Sequence, residues 1–195
     1  DKNFLKAYIN LGVLLEEQNK YFDAIDILNL ALKQDNKNYV IYSNRGILLQ
    51  KIKKFEDSVA SFVEAIKINN IDPEAFYNLA ISYKKMGDFD KAIINYKKAI
   101  SLKTDHYRAY NNLGSLFIDL RRFSDALECF KKALEINKEY IEASYNESFI
   151  FLLQNQFIEG WARYENRWHV KEGGKPLYDL NNNLWDGKFL QGTLL

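Results

Sequence analysis

Cysteine, proline and histidine are scarce in this 195-residue chain, which holds one Cys, two Pro and two His. Cys129 alone cannot close an intrachain disulfide, so nothing indicates an oxidising compartment and a cytoplasmic location is the expectation. Two His and one Cys are too few to build a metal centre or a His-based catalytic cluster, and neither a metal nor a cofactor is expected. Charge of one sign is lacking too: 27 Lys plus Arg stand against 26 Asp plus Glu. Residues 1–38 carry 5 − 6 = −1 and residues 73–106 carry 6 − 4 = +2, so no block hides a basic patch. Nucleic-acid binding draws its affinity from clustered Lys and Arg on phosphates and is therefore not expected, RNA reading by helical repeats included. The chain has no apolar run of 18 residues and no basic-then-apolar leader, which excludes a helical membrane span and leaves no visible export signal. It opens on Asp1 and stops on Leu194-Leu195, and so reads as a piece of a longer protein.

What is present is internal repetition. Displaced by 34 residues, the sequence matches itself over four ungapped units, 5–38, 39–72, 73–106 and 107–140, and a degraded fifth follows at 141–170. Tyr8, Tyr42, Phe76 and Tyr110 share one column, and Gly12, Gly46, Ala80 and Gly114 another. Later columns hold Ala24, Ser58, Ala92 and Ala126, then Leu28, Phe62, Tyr96 and Phe130, then Ala31, Ala65, Ala99 and Ala133. Phe76, Leu79, Ala80 and Tyr83 fall at i, i+3, i+4 and i+7, one stripe of a helix. Asp72 before Pro73 offers an N-cap, and Met86-Gly87-Asp88 breaks the chain before a second helix from about Asp90 to Leu102. One hairpin cannot bury its apolar face alone, so stability must come from stacking on neighbours.

These columns resemble the tetratricopeptide repeat family, specifically over residues 5–138. The resemblance implies an all-α, right-handed α-solenoid of stacked helix-turn-helix units, with a short irregular segment after them. Two departures stand out. Asn36, Asn70, Thr104 and Lys138 occupy the place of the usual closing proline, which should loosen the turns between units, and Arg45 replaces a packing Leu.

One column is invariant within the chain without being a packing column: Asn10, Asn44, Asn78, Asn112 and Asn146. The next column, Ile9, Ser43, Tyr77, Asn111 and Tyr145, has diverged, which argues that the amides are not merely shared by descent. On a helical wheel Asn10 lies away from Tyr8, Leu11 and Leu15. Beside the amides run Val13, Ile47, Ile81 and Ser115, then Glu17, Lys51, Lys85 and Asp119. Each carboxamide can donate to and accept from the backbone of an extended peptide. Equally, the amides could bond between adjacent helices and fix the stacking angle. The row resembles the amide ladder in the repeat superhelix of the O-linked N-acetylglucosamine transferase family, which implies a peptide-binding role for these five residues.

Past the repeats, Trp161, Tyr164, Glu165 and Trp168 are spaced to share a helical face that closes the core or docks the next segment. Gly173-Gly174 lacks the strand and the Lys-Ser or Lys-Thr of a phosphate loop and reads as a linker, Leu184-Trp185-Asp186-Gly187 as a turn, and Thr193-Leu194-Leu195 as the start of a strand in a following domain. Gly160-Trp161, Tyr164-Glu165, Arg167-Trp168, then Trp185, Gly187, Gly192 and Leu194-Leu195 together resemble the junction of bacterial repeat–glycosyltransferase fusions. With no catalytic residues readable, two functions are expected of this segment: a non-enzymatic module that binds extended protein segments in a concave groove, or the substrate-recognition arm of a glycosyltransferase whose chemistry lies beyond residue 195. The terminal units could also pair two copies.

Overall fold

The computed structural model describes residues 2–170. Within them lie ten α-helices and no strand: α1 (Lys2–Glu17), α2 (Tyr21–Gln34), α3 (Tyr39–Lys51), α4 (Phe55–Ile68), α5 (Pro73–Met86), α6 (Phe89–Leu102), α7 (Tyr107–Asp119), α8 (Phe123–Ile136), α9 (Ile141–Leu153) and α10 (Phe157–Tyr164). Each helix packs on the next in sequence, and α3 also meets α5 and α7 meets α9, so the hairpins stack into an α-solenoid.

Small columns set the approach distances. Ala24, Ser58, Ala92 and Ala126 are completely buried, as are Ala31, Ala65, Ala99 and Ala133. A β-carbon built on Gly46 would lie 2.7 Å from Cζ of Phe62, and one on Gly114 would lie 2.7 Å from Cε1 of Phe130, so those aromatics sit directly over glycine backbone.

The turn inside each hairpin puts one residue in the left-handed region: Asn19, Lys53, Gly87, Arg121 and Asn155, 34 residues apart, with φ between 58° and 80°. Only the third unit uses glycine there. An added β-carbon at Gly87 meets nothing within 4 Å, so its cost is purely conformational. Gly87→Ala should lower stability by about 1 kcal/mol in urea unfolding, while Arg121→Gly should leave it unchanged or raise it.

At three of the four places where proline is missing a side chain closes the turn between units; at the fourth the backbone N–H of His106 donates to the Lys103 carbonyl at 3.1 Å. The backbone N–H of Lys37 donates to Oδ1 of Asp35 (3.0 Å), that of Ile71 to Oδ1 of Asn69 (3.4 Å), and that of Glu139 to Oδ1 of Asn137 (3.1 Å). Such Asx turns do by hydrogen bonding what proline does by fixing φ. Asn38 and Asp72 then cap α3 and α5 by accepting from the N–H of Val40 and Glu74.

The core forms two apolar clusters, one around Ala24, Leu28, Ile41 and Leu48, the other running from Ala80 through Tyr96 and Phe130 to Ile150. Polar side chains lie between them. Ser58 donates to the carbonyl of Gly46 and shares a 2.9 Å hydrogen bond with Ser82, and Gln50 Nε2 donates to Ser82 Oγ and to the carbonyl of Asn78. Arg45, in place of the packing Leu, donates from Nη1 to Ser61 Oγ at 2.8 Å and leaves Nε buried without a partner.

At the far end, α10 stops at Tyr164 and a 3-10 turn, Glu165–Trp168, follows. Trp161, Tyr164, Glu165 and Trp168 therefore do not share one α-helical face. Tyr164 packs edge-on against Phe149 and beside Tyr145, whereas Trp161 stays about half exposed. The linker, turn, strand and following-domain expectations for 171–195 lie outside the described residues.

Candidate peptide groove

The first helices of successive units (α1, α3, α5, α7, α9) carry the amide column on one wall of the stack. Side chains on neighbouring first helices meet at an offset of 35, one repeat plus one residue. Lys51 pairs with Glu16 at 2.8 Å, Lys84 with Asp119 at 3.0 Å, Asn112 Nδ2 donates to the Tyr77 hydroxyl at 3.0 Å, and Asn146 Nδ2 donates to Asn111 Oδ1 at 3.0 Å. Asn112 and Asn146 thus lie beside the divergent column of the preceding unit. Tyr77 and Asn111 can accept, so Asn112 and Asn146 are tied across the unit boundary. Ile9 offers nothing polar to Asn44, and Ser43 Oγ is buried without a hydrogen bond rather than joined to Asn78.

The five amides therefore divide. Asn10 is exposed, Asn44 and Asn78 are half-buried, and all three side chains make no hydrogen bond within the described residues. Asn112 and Asn146 are half-buried and engaged, and both line a depression of about 540 Å³ together with Ile81, Lys85, Ser115 and Tyr145. A second depression of about 540 Å³ is lined by Ile47, Gln50, Lys51, Phe55, Ile81 and Lys85. Ile81 and Lys85 border both, so the two depressions adjoin along α5. Asn10, Asn44 and Asn78 line neither.

Charge along this wall is uneven. Lys51 and Lys84 are neutralised by Glu16 and Asp119, and the hydrogen bond to Glu16 holds the Lys51 ammonium above its usual range. Lys53 and Lys85 are exposed and make no ion pair within the described residues, which leaves the middle of the wall positive. Under it, Tyr77 packs against His106, with ring centroids 4.9 Å apart. His106 is buried, and burial holds its pKa below the usual histidine range even though Glu74 lies 3.5 Å from Nε2. His106 sits at the N-cap position of α7, but its side chain caps nothing and serves as a packing surface for Tyr77. His169 is exposed. Cys129 is buried, and burial pushes its thiol up to about 12, so it is not a nucleophile. Among the described residues no cluster of His, Cys, Asp or Glu could hold a metal ion, and no helix is long and apolar enough to cross a membrane.

Family models of the tetratricopeptide repeat match residues 5–38 and 72–139, and a model of the TPR repeat matches 51–87. The chain belongs to the tetratricopeptide repeat family. Among solved structures, this tetratricopeptide array is similar to a MamA crystal structure (TM-score 0.72, 21% identity, 80% of this chain and 91% of that one). It is also similar to PilF of Pseudomonas aeruginosa (TM-score 0.78, 16% identity, 89% and 78%). YrrB, described as a TPR protein with an unusual peptide-binding site, matches at TM-score 0.65 and 18% identity over 84% of both chains. Identities this low carry the fold alone. No curated protein matches the chain. Neither the repeat models nor these structures supply a glycosyltransferase match, and of the residues behind that expectation Trp185, Gly187, Gly192, Leu194 and Leu195 lie outside the described residues.

The sequence did not foretell two polar pairs 16 residues apart within a hairpin, Arg45 with Ser61 and Glu147 with Arg163. Both occupy the columns where the fourth unit carries Leu113 and Cys129. A search for paired exchange at an offset of 16 would have found them.

Proposed function

We propose that the array is a protein-interaction module whose inner wall binds an extended segment of a partner protein, with Asn10, Asn44, Asn78, Asn112 and Asn146 as contacts to the guest backbone. The observation that carries this reading is the pair of adjoining depressions along α5, which share Ile81 and Lys85, one of them lined by Asn112 and Asn146 and the other by Ile47, while Asn44 and Asn78 lie outside both in the same column. Asn44 and Asn78 have both donors and the acceptor free; Asn146 keeps its Oδ1. The unpaired Lys53 and Lys85 favour a guest with acidic side chains. YrrB, a structural neighbour described as having a peptide-binding site, supports the same reading.

The test starts with peptides selected from a random 16-residue phage library against the whole chain. Asn44→Ala/Asn78→Ala removes no internal hydrogen bond and should weaken the selected peptides about tenfold, two bonds of about 0.5–1.5 kcal/mol each, with Tm unchanged. Asn112→Ala/Asn146→Ala, which cuts two cross-unit bonds, should lower Tm as well. Peptides that bind the first variant as tightly as the parent chain would show that Asn44 and Asn78 make no contact with the guest and overturn the role proposed for the row.

A further inference from the structure

Among the described residues, Ser43 Oγ, Arg45 Nε and His106 Nε2 are the buried side-chain atoms left without a hydrogen bond. The first two belong to the second unit. His106 lies elsewhere, 2% exposed at the N-cap of α7, where the third unit meets the fourth. Asn38 and Asp72, in the same column, cap their helices with a side-chain oxygen. Histidine gives up that cap, and its ring backs Tyr77 instead.

The charged groups that face the ring come from three segments. From α5 comes Glu74, whose Oε1 lies 3.5 Å from Nε2 without a hydrogen bond. The turn before α7 supplies Lys103 and Asp105, and α7 supplies Arg108, whose Nη2 lies 3.5 Å from the same Glu74 oxygen. Burial, the largest influence, opposes a proton on His106, as do Lys103 and Arg108, while Glu74 and Asp105 favour one. The ring is therefore neutral at pH 7 and takes up its proton in acid.

A proton there has a mechanical consequence. A charge-assisted N–H···O bond closes to about 2.7–2.9 Å, so an imidazolium held 3.5 Å from a carboxylate oxygen is drawn towards it. The Tyr77 ring packs on the imidazole and on Tyr96 of α6, and its hydroxyl accepts from Asn112 Nδ2 at 3.0 Å. Movement of the imidazolium onto Glu74 removes the surface on which Tyr77 is seated.

We propose that His106 is a proton switch for the inner wall: once protonated it pairs with Glu74, Tyr77 shifts as its support is lost, and the Asn112 amide is released from the Tyr77 hydroxyl. The wall then presents a different set of free amides in acid than at neutral pH. The switch needs no guest in the groove and stands or falls apart from the peptide reading. Its cost to stability has a fixed sign. Because burial holds the folded-state pKa below the unfolded value, the unfolded chain takes up a proton first, so stability is whole above a pH of about 6.5 and falls as the pH drops from there towards the folded-state pKa.

The test is an NMR titration of the whole chain carrying His169→Gln, a change at an exposed position that leaves one imidazole to observe. Between pH 7.5 and 4.5 the His106 ring should titrate below the usual histidine range, and the Asn112 side-chain NH2 signals should shift with the same midpoint. His106→Phe keeps a ring on Tyr77, much as Tyr140 places a ring against Tyr107 in the same column of the next unit, and there the Asn112 signals should stay still. Over pH 7 to 5 the Tm of the histidine chain should fall relative to that of His106→Phe by about 2–4 °C. Glu74→Gln removes the carboxylate that favours the proton and should move the His106 midpoint lower still. Asn112 signals that do not move, that move with another midpoint, or that move equally in His106→Phe would overturn the switch, as would a His106 ring that titrates in the usual range.

Discussion

Phe130→Ala should destabilise the array by about 3–5 kcal/mol in chemical unfolding. Phe130 is fully buried in the larger cluster, and its ring covers the backbone of Gly114. Removing the ring leaves a cavity between α7 and α8 that helices held by stacking on both sides cannot collapse to fill. The converse change gives a second reading of the same contact. Gly114→Ala brings a β-carbon to 2.7 Å from Cε1 of the ring, too close for any pair of carbons, and should cost about 1–3 kcal/mol. Because one contact underlies both losses, they should not add: Gly114→Ala/Phe130→Leu should be more stable than the sum of the single changes predicts, as a double-mutant cycle will read. The first unit already places a leucine over its glycine, with Leu28 Cδ2 3.1 Å from the ideal β-carbon position of Gly12.

Arg163→Met should cost about 2 kcal/mol at neutral pH and much less in acid. Glu147 is 8% exposed, with Arg163 Nε 3.1 Å from its Oε2. Burial raises the Glu147 pKa, and the guanidinium only partly offsets this. Without Arg163 the carboxylate is a buried charge with no counter-ion, an arrangement that costs more than the pair itself contributes. Its folded-state pKa then lies still further above the unfolded value. A carboxyl with a raised folded pKa stabilises below the unfolded pKa, and that contribution is lost as pH rises through the folded one. The variant should therefore lose stability, relative to the parent chain, as pH climbs from about 4 towards 7. Glu147→Leu/Arg163→Met, which restores the apolar character of Leu113 and Cys129 in the fourth unit, should recover most of the loss at pH 7.

The helical stack was legible because packing repeats with the sequence. A column such as Ala31, Ala65, Ala99 and Ala133 is small in every unit because a helix of the next unit presses on it, and Asp72-Pro73 marks a helix start by local chemistry alone. The wall of asparagines was visible as a row. What each amide touches was not, because contacts between first helices run at an offset of 35, and no single repeat reveals which flank of a helix its neighbour will approach. The column of Ser43, Tyr77 and Asn111 looked like drift, yet Tyr77 and Asn111 accept from the amides of the next unit. The closing of the turns by Asp35, Asn69 and Asn137 was not legible in the absence of proline, because a side chain one position earlier closes the same turn by hydrogen bonding. At the far end, the spacing of Trp161 and Trp168 suited a helix, but α10 gives way to a 3-10 turn after Tyr164 and the two indoles part.

Ser58, Ser82 and Gln50 give the middle of the molecule a property its two halves lack. Methyl groups tolerate small slips past one another, while a chain of hydroxyls and an amide is satisfied in only one alignment. The pitch of the whole spiral is thus indexed at its centre, next to Arg45 and Ser43, whose unmatched polar atoms make the same place the cheapest to prise apart. A molecule so built holds its two apolar clusters in one register, and a slip of α3 past α5 would break several hydrogen bonds at once.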